Sequence, residues 1–364
     1  MTRHREGRGR RAALLIAAAV LATSAAGAQP RREAPVRNDQ APDIVTYGGR
    51  EDVMRFADEI AQRHGLQRDW VAGQLAQSRY VPQVARLMMP PPAGTAKNWA
   101  AYRARFIEPQ RIQAGVQFWN ANAATLARAE AQYGVPAAVI VGIVGVETFY
   151  GRITGGFRVL DALATLSFDF PTGRRDRTPF FRDELAHYLQ LCQREQWDCA
   201  AMKGSYAGAM GLPQFMPSSI MKYAVDYDRD GRVDLWNSAA DVVGSVANYL
   251  AVFGWEPGLA THFAVAPPVD AQARALLLGP DIVPSFTAAE FAAQGAELAT
   301  GGQRHSGLLA LVELQNGDAA PSYIAGTQNF YVITRYNWSS YYALAVIELG
   351  EAVRRARAAA PQQP

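Results

Sequence analysis

Apolar side chains recur every three or four residues along most of this chain, which is the spacing of one helix face. The first clear example lies between Val53 and Ala61, and Gly65 follows it as a typical helix end, so a helix is predicted over 53–65. Similar patterns predict helices across 102–133, over 180–195, 218–223 and 240–253, and a last one with Tyr342, Val346, Leu349 and Val353 on one stripe. The pattern therefore predicts a mainly α-helical protein.

One segment, from 136 to 148, is apolar on all sides rather than on one face. A helix of that kind does not lie on a protein surface, because it has no polar face to present to water. It is predicted to be the central core helix of a larger body.

The pattern changes between 257 and 336, where the runs 308–314 and 330–336 resemble strands. Asn316-Gly317 follows the first run and is a strong hairpin-turn signal. These features predict a small β-rich insertion between helical parts of the chain.

The first 28 residues form a different kind of segment. Arginines from Arg3 to Arg11 precede an apolar run that is too short to span a bilayer, and Ala26-Gly27-Ala28 resembles a cleavage site. A signal peptide is therefore predicted over 1–28, followed by a flexible lead-in over 29–52. The mature chain is expected to be exported and soluble, with no transmembrane segment.

Removal of this leader also changes the charge of the chain. The leader carries five arginines and one glutamate, so the formal net charge of +3 becomes −1 in the mature protein. Nucleic-acid binding calls for clustered lysine and arginine, so no nucleic-acid partner is expected. With 49% hydrophobic and 19% charged residues, the chain is also too apolar for a disordered protein.

Glu147 lies at the end of the apolar segment, in the sequence VGVETFYG. Burial among apolar neighbours and the negative end of the helix dipole both disfavour a carboxylate, so the pKa of Glu147 is expected to be raised. A carboxylic acid of that kind can donate a proton near neutral pH, as a glycosidase acid does. The alternative is a structural glutamate that leaves the helix end for solvent or pairs with Arg152.

A second segment of chemical interest is the small-residue loop from Gly204 to Ser219, GSYAGAMGLPQFMPSS. Glycine lets a backbone approach a ligand closely, and a serine near the end of the loop is expected to cap the next helix. The alternative is a connector whose Phe215 and Met216 fill the core.

Together these two segments resemble the MltB-type lytic transglycosylases, glycoside hydrolase family 103, which cleave the glycan strands of bacterial peptidoglycan. The resemblance extends over about 53–342. Its further motifs are FWN at 118–120, LDALATLSF at 160–168, GSVANY at 244–249 and YVITRYN at 331–337. It implies a periplasmic enzyme with a lysozyme-like helical catalytic core and peptidoglycan glycan strands as its partner.

The resemblance also implies that Glu147 is the single catalytic acid. It would protonate the oxygen between N-acetylmuramic acid and N-acetylglucosamine, and then take a proton from the muramyl 6-hydroxyl as that oxygen closes on C1. Two rivals remain open, a hydrolytic muramidase and a non-catalytic peptidoglycan-binding protein. A second acid remains open among Asp161, Asp169, Asp183 and Glu184, although Asp161 is more simply a helix N-cap and the last two a solvated first turn.

Substrate-binding side chains follow from the same resemblance. They are Ser205 and Gln214 beside the catalytic glutamate, and Tyr102, Tyr249, Asn337 and Tyr342 along the sugar groove. Aromatic rings and amides suit a flat, polar sugar. The arginine pair of the family corresponds to Arg174 and Arg175, with Arg177 close by, so the identity of the arginine that reaches the substrate stays open.

The acidic loop DYDRDGRVD, residues 226–234, has the spacing of an EF-hand calcium loop, with oxygen ligands at positions 1, 3, 5 and 9 and glycine at 6. The predicted ligands are Asp226, Asp228, Asp230, Asp234 and the backbone carbonyl of Arg232. Asn237 stands where glutamate is usual, and the resemblance implies a lengthened loop closed by Asp241, which also fits a helix capping box with Ser238. The Ca²⁺ ion is expected to be structural, and no organic cofactor is expected.

Cys192 and Cys199 are the only cysteines, and export favours a disulfide between them. In one continuous helix they would lie about 10 Å apart, beyond disulfide reach. The pairing therefore requires the helix to end near Gln196, and two free thiols are the alternative.

These inferences combine into a mainly α (α+β) fold: a lysozyme-like helical core with an EF-hand-like loop, a flanking helical domain and a small β-rich insertion. The predicted segments are 1–28 signal peptide, 29–52 lead-in, 53–100 N-terminal helical segment, 101–256 catalytic core with the EF-hand-like loop, 257–336 β-rich insertion, and 337–364 C-terminal helix and tail.

Overall fold

A computed structural model describes residues 45–90 and 96–359 of the protein. The predicted signal peptide and most of the predicted lead-in lie outside the described residues. The described helices, in chain order, are α1 (Glu51–His64), α2 (Arg68–Ala76), α3 (Pro82–Met88), α4 (Trp99–Arg103), α5 (Pro109–Ala121), α6 (Ala123–Tyr133), α7 (Ala137–Thr148), α8 (Val159–Phe168), α9 (Thr178–Arg194), α10 (Pro217–Tyr223), α11 (Ala239–Val252), α12 (Ala271–Leu278), α13 (Ala288–Ala293), α14 (Thr300–Gln303), α15 (Gln328–Thr334) and α16 (Ser340–Ala359). The described strands are β1 (Phe157–Arg158), β2 (Lys203–Gly204), β3 (His262–Ala266), β4 (Glu297–Leu298), β5 (Ala310–Asn316) and β6 (Ala319–Gly326).

The chain is mostly helical, as predicted, and forms two compact units. Within the described residues, the first unit contains 45–90, 153–210 and 214–221, and the second contains 96–152, 211–213 and 222–359. The first unit holds α1–α3, α8, α9 and the β1–β2 ribbon, whereas the second holds α4–α7, α11–α16 and the other strands. Helix α10 begins in the first unit and ends in the second.

Most of the predicted helices are confirmed. Helix α1 ends at Gly65, whose φ of 66° is the left-handed conformation that glycine adopts without strain. Helices α9, α10 and α11 begin and end within two residues of their predicted bounds. The predicted apolar stripe of α16, from Tyr342 to Val353, is buried.

Helix α7 is the buried core helix that the sequence predicts, because every residue of it is buried. It packs against α5, α6, α11 and, most extensively, α16. A Cβ on Gly142 would lie 2.2 Å from the Val346 carbonyl oxygen, and one on Gly350 would lie 2.0 Å from that of Ala138. Helices α7 and α16 therefore approach backbone to backbone, which only glycine permits at these two positions.

None of the described helices is long and apolar enough to cross a membrane singly. Helices α6 and α7 meet the criterion only as a pair, and the pair is bent by 116°.

The β-rich insertion contains an antiparallel sheet in the order β4-β3-β6-β5. The predicted hairpin turn at Asn316-Gly317 joins β5 to β6, and Gly317 has a φ of 66°. The insertion has its own small core, formed by Leu277, Phe291, Ala296, Leu298, Leu309, Leu311 and Ala325.

The predicted strand over 330–336 is wrong, because this run forms helix α15. The Thr327 hydroxyl accepts a hydrogen bond from the Asn329 backbone and starts the helix. Phe330, Val332 and Ile333 are fully buried, so the run is apolar for a reason unrelated to strand formation. A short buried run rich in β-branched residues does not by itself distinguish a strand from a helix.

Three smaller predictions in the first unit are also wrong. Asp161 is not an N-cap but lies inside α8, and its carboxylate accepts a hydrogen bond from the Arg79 backbone at 3.0 Å. Asp183 and Glu184 lie beyond the first turn of α9, and Glu184 is buried rather than solvated. The Glu184 carboxylate accepts bonds from the Ser218 backbone and hydroxyl at 2.9 and 2.7 Å, so this serine, which lies inside α10, is not a cap.

Cys192 and Cys199 form a disulfide, with their Cα atoms 5.6 Å apart. The condition that the sequence imposed is met, because α9 ends at Arg194. Gln196 then adopts a φ of 55° and turns the chain back toward the helix.

Candidate active site

Glu147 occupies the last turn of α7 with only 8% of its surface exposed. The Tyr342 hydroxyl, on α16, donates a hydrogen bond of 2.6 Å to its Oε1 atom. Burial raises the pKa of Glu147 from 4.5 to about 7, and the Tyr342 bond opposes that rise because it favours the carboxylate. The buried, raised-pKa carboxyl group expected from the sequence is therefore present.

The structural alternative for Glu147 does not hold. Arg152 lies over the Phe149 ring, with its guanidinium carbon 4.7 Å from the ring centroid. Among the described residues, no salt bridge includes Glu147. The glutamate neither leaves the helix for solvent nor pairs with an arginine.

The backbone that follows Glu147 is held in an unusual conformation. Phe149, Tyr150 and Gly151 have φ values of 52°, 56° and 88°, and left-handed backbone is uncommon in residues other than glycine. The Thr148 hydroxyl stabilises this turn, because it donates to the Leu212 carbonyl at 2.9 Å and accepts from the Gly151 backbone at 3.1 Å. Strained backbone of this kind is typical of functional sites.

Arg111, on α5, supports the same turn and was not identified from the sequence. It donates a hydrogen bond of 2.6 Å to the Gly145 carbonyl, in the last turn of α7. Its guanidinium carbon also lies 4.3 Å from the centroid of the Phe149 ring. Arg111 therefore contacts the chain on both sides of Glu147, and no motif in the sequence indicates a pairing across these helices.

Four tyrosines lie around the carboxyl group of Glu147. The Tyr342 and Tyr336 rings are stacked at 6.4 Å, and the Tyr336 and Tyr249 rings are 4.8 Å apart. Burial raises the pKa of Tyr102, Tyr249, Tyr336 and Tyr342, and the charge of Glu147 raises each one further. The structure thus brings three predicted site residues to Glu147 and adds Tyr336.

Tyr336 and Asn337 belong to the turn between α15 and α16. The Tyr336 hydroxyl donates to the Pro213 carbonyl at 2.6 Å, and the Tyr249 hydroxyl donates to the Arg335 carbonyl at 2.7 Å. Asn337 is half-buried in the same turn. The motif YVITRYN contains Tyr336, so the signal that could have identified this tyrosine was present in the sequence.

The other predicted substrate-binding residues belong to the first unit. The Ser205 hydroxyl accepts bonds from the Ala207 and Ala209 backbones at 3.3 and 3.0 Å, within the small-residue loop. The Gln214 amide donates to the Thr154 carbonyl at 3.1 Å, and Gln214 has a φ of 51°.

The core-filling alternative for this loop holds in part. Phe215 is buried, as that alternative requires, whereas Met216 is only half-buried. A Cβ on Gly204 would lie 2.2 Å from the Ala209 carbonyl oxygen, so glycine here permits a close approach within the loop itself. The loop therefore has a packing role in the first unit.

The arginines of the first unit differ in their surroundings. Arg174 donates a hydrogen bond to the Met88 carbonyl, and its guanidinium carbon lies 5.8 Å from the Phe170 ring centroid. Arg177 lies 4.4 Å from the Phe180 ring centroid. Arg175 is exposed. Of the predicted pair, Arg175 is thus the side chain that extends into solvent.

The acidic loop folds as an EF-hand-like turn in the second unit. Carboxylate oxygens of Asp226, Asp228 and Asp230 all lie within 4.8 Å of one another. The Asp226 carboxylate also accepts bonds from the Arg229, Asp230 and Gly231 backbones. The structure therefore brings three of the predicted ligands together.

Asp234 and Asp241 are engaged differently from these three residues. The buried Asp241 carboxylate accepts bonds from the Tyr227 and Asp234 backbones at 2.7 and 2.8 Å. The Asp234 carboxylate accepts bonds from the Asn237 backbone and side chain. Ser238 caps α11, so one half of the predicted capping box is present, while Asp241 holds the loop instead of completing the box. The Arg232 guanidinium lies 3.3 Å from Asp230.

Residues 48–351 match the transglycosylase SLT domain, so the chain belongs to this family. It is 40% identical over 321 residues to the membrane-bound lytic murein transglycosylase B of Escherichia coli K12. The aligned residues cover 85% of this chain and 85% of that protein. The fold is lysozyme-like, and the enzyme is a lytic transglycosylase that acts on peptidoglycan.

Two solved structures are similar to the chain over most of its length. Slt35, a lytic transglycosylase of Escherichia coli solved with bulgecin A and with calcium, is 39% identical with a TM-score of 0.73, covering 85% of this chain and 94% of Slt35. SltB1, a soluble lytic transglycosylase of Pseudomonas aeruginosa, is 40% identical with a TM-score of 0.75, covering 85% of this chain and all of SltB1.

Proposed function

We propose that Glu147 is the single catalytic acid and base of this lytic transglycosylase. The observation that carries the proposal is its buried carboxyl group, whose pKa of about 7 leaves much of it protonated at neutral pH. Burial and the Tyr342 hydrogen bond set that pKa, and within the described residues no second carboxylate contributes to it. The proposal therefore assigns both steps of the reaction to this one carboxyl group.

In the first step, the protonated Glu147 gives its proton to the oxygen between N-acetylmuramic acid and N-acetylglucosamine. The bond from that oxygen to C1 of the muramyl residue breaks, and the N-acetylglucosamine hydroxyl leaves. Glu147 is then a carboxylate, and the Tyr342 hydroxyl stabilises this form through its hydrogen bond.

In the second step, the muramyl 6-hydroxyl forms a bond to C1 and releases its proton to Glu147. The product carries a 1,6-anhydro ring, no water is consumed, and the carboxyl group is protonated again. This sequence departs from the general two-carboxylate scheme, in which a second acid acts as nucleophile or activates water.

We assign positioning of the acid to Tyr342 and substrate contact to the other tyrosines. Tyr342 is only 1% exposed and bonded to Glu147, so it acts on the sugar through the glutamate. Tyr102, Tyr249 and Asn337 are the substrate-binding residues of the second unit, as the family resemblance implies. In the first unit, Ser205, Gln214 and Arg175 take that role, and Arg174 orders its own segment through Met88.

The test compares wild type with Glu147→Gln on purified, peptide-free glycan strands in ¹⁸O-labelled water. Wild type should release 1,6-anhydromuramic ends without ¹⁸O, and the variant should lose at least about 1,000-fold in kcat, because its amide cannot donate a proton. Mass spectrometry of the products measures both results. Incorporation of ¹⁸O would instead identify a hydrolytic muramidase.

Glu313→Gln is the matched control in this experiment. The Glu313 carboxylate accepts a hydrogen bond from the Tyr323 hydroxyl at 2.6 Å, the same distance as in the Glu147–Tyr342 pair, but it belongs to the β-rich insertion. Its replacement should leave kcat within about twofold of wild type, since surface changes away from a site are usually small. An active Glu147→Gln enzyme would assign the acid to another residue.

A structural Ca²⁺ ion is part of the proposal. Clustered carboxylates attract such an ion, and oxygen ligands in an EF-hand-like turn are those that Ca²⁺ prefers. The ion would be held by Asp226, Asp228, Asp230, Asp234 and the Arg232 carbonyl. Asp241 would stabilise the loop through its hydrogen bonds from the Tyr227 and Asp234 backbones. When bound, the ion would neutralise repulsion among these acids and stabilise the loop.

We also place the enzyme in the periplasm. The predicted signal peptide over 1–28 and the peptidoglycan substrate support this location. The glycan strands of peptidoglycan are its partner.

A further inference from the structure

Trp338 presents a half-exposed indole on the turn between α15 and α16. All seven tryptophans of the chain lie in the described residues, and Trp338, at 53% exposure, is the one that ranks among the exposed large hydrophobic side chains. A half-exposed indole keeps apolar surface that a ligand can cover, and burial of that surface would contribute to binding.

Neighbouring side chains hold this indole in place. The Tyr331 ring meets it edge-on, with the centroids 5.9 Å apart and the planes at 88°. The Arg335 guanidinium carbon lies 5.6 Å from the Trp338 ring and 5.8 Å from the Tyr331 ring. A ring ordered in advance loses little freedom when a ligand binds to it, so these contacts preorganise an exposed aromatic surface.

The same turn carries residues of the candidate active site. Asn337 immediately precedes Trp338, and the Arg335 carbonyl accepts the hydrogen bond of Tyr249. Tyr342, which reaches Glu147, lies one helical turn further along the chain. The Arg335 guanidinium carbon also lies 5.4 Å from the Phe253 ring centroid, and the Phe253 and Tyr249 rings are 4.5 Å apart, so a series of contacts connects the indole to the tyrosines around Glu147.

We propose that Trp338 is an additional sugar-stacking subsite, which binds a glycan residue beyond the two nearest residues on either side of the cleaved bond. The proposal rests on the proposed function of Glu147, because it takes the glycan strand as the ligand. A pyranose ring presents a face of C–H groups that packs on the indole face, while its hydroxyl groups stay in water. None of the described ion pairs includes Arg335, and its guanidinium group instead contacts the Trp338 and Tyr331 rings.

A subsite beyond the cleaved bond affects only substrates that are long enough to reach it. The experiment therefore measures kcat and KM on peptide-free N-acetylglucosamine–N-acetylmuramic acid tetrasaccharide and octasaccharide, for wild type, Trp338→Ala and Trp338→Phe. For Trp338→Ala, KM for the octasaccharide should rise about tenfold, in the range of an aromatic truncated at an interface. Its kcat should stay within about twofold, and neither value should change on the tetrasaccharide.

Controls separate this proposal from its alternatives. Trp338→Phe retains an aromatic face and should recover part of the lost affinity, which a role in folding alone would not explain. Val269→Ala truncates another exposed apolar side chain, 97% exposed in the β-rich insertion, and should match wild type on both substrates. Melting temperatures of all variants should agree within a few degrees, because Trp338 is already half-exposed.

The outcomes are distinguishable from a failure of the proposed function. If wild type forms no anhydro ends from either substrate, the mechanism proposed for Glu147 is wrong. If wild type is active and Trp338→Ala has an unchanged octasaccharide KM, the stacking subsite does not exist. An equal loss on both substrates would place Trp338 within the part of the site that the tetrasaccharide fills and would also overturn the proposal.

Discussion

The raised pKa of Glu147 predicts that the stability of Glu147→Gln, relative to that of wild type, increases as the pH rises. In the folded protein the carboxyl group holds its proton up to about pH 7, whereas the unfolded chain releases it near 4.5. Between these values the folded state binds more protons than the unfolded state. The free energy of unfolding therefore contains a contribution that is complete below the lower pKa and is lost as the pH rises through the higher one.

The size of this effect follows from the two pKa values. They differ by about 2.5, and each unit corresponds to about 1.36 kcal/mol, so the contribution is about 3 kcal/mol. Glu147→Gln does not titrate. The free energy of unfolding of the variant minus that of wild type should therefore increase by about 3 kcal/mol between pH 4 and pH 8.5.

Urea unfolding at a series of pH values measures this difference, and the calcium concentration is held constant because bound ligand also shifts stability. Glu313→Gln is again the matched control, since it too removes a carboxylate that accepts a bond from a tyrosine. A difference for Glu147→Gln that stays constant across the range would show that Glu147 titrates normally. Glu147 would then not be a buried proton donor.

Three further predictions address the site, the ion and the disulfide. Wild-type kcat should fall as the pH rises through about 7, and Tyr342→Phe, which removes the bond that lowers the Glu147 pKa, should keep its activity to higher pH. Measurement of kcat against pH tests this, with Tyr323→Phe as control. Added Ca²⁺ should raise the melting temperature of EDTA-treated wild type but not of Asp228→Asn, and equal shifts in both would place the ion elsewhere. Replacing Cys192 and Cys199 by alanine should lower the free energy of unfolding by about 2–3 kcal/mol in urea, whereas an unchanged value would mean that the bond constrains little.

Local patterns in the sequence were sufficient for most of the helical fold. The apolar segment before Glu147 has no polar face, and it is the buried helix α7 in the structure. The run at 330–336 is apolar because most of its residues are buried. In such a run, the spacing of apolar residues no longer distinguishes a helix from a strand. The wrong prediction for Glu184 has a different origin, because its partner Ser218 lies 34 residues away.

The candidate site was predictable only in part from the sequence, again because residues that contact each other lie far apart along the chain. The pattern around Glu147 indicates a desolvated carboxyl group, and the family resemblance names Tyr102, Tyr249 and Tyr342. Neither shows that the Tyr342 hydroxyl is bonded to Glu147, because these residues are 195 positions apart. That contact depends on the packing of α16 on α7, and Arg111 is likewise visible only once α5 is placed against α7.

The packing of α16 on α7 also explains why Glu147 keeps an unfavourable environment. Gly142 and Gly350 let the two helix backbones meet, and every residue in the last turn of α7 is buried. The same packing of α16 places Tyr342 beside Glu147. The hydrogen bond from Tyr342 limits the rise in the Glu147 pKa that burial causes. A carboxyl group with a pKa near 7 is close to the value at which one residue can act both as acid and as base at neutral pH. The stability lost at alkaline pH and the two proton transfers proposed for Glu147 therefore have one structural origin.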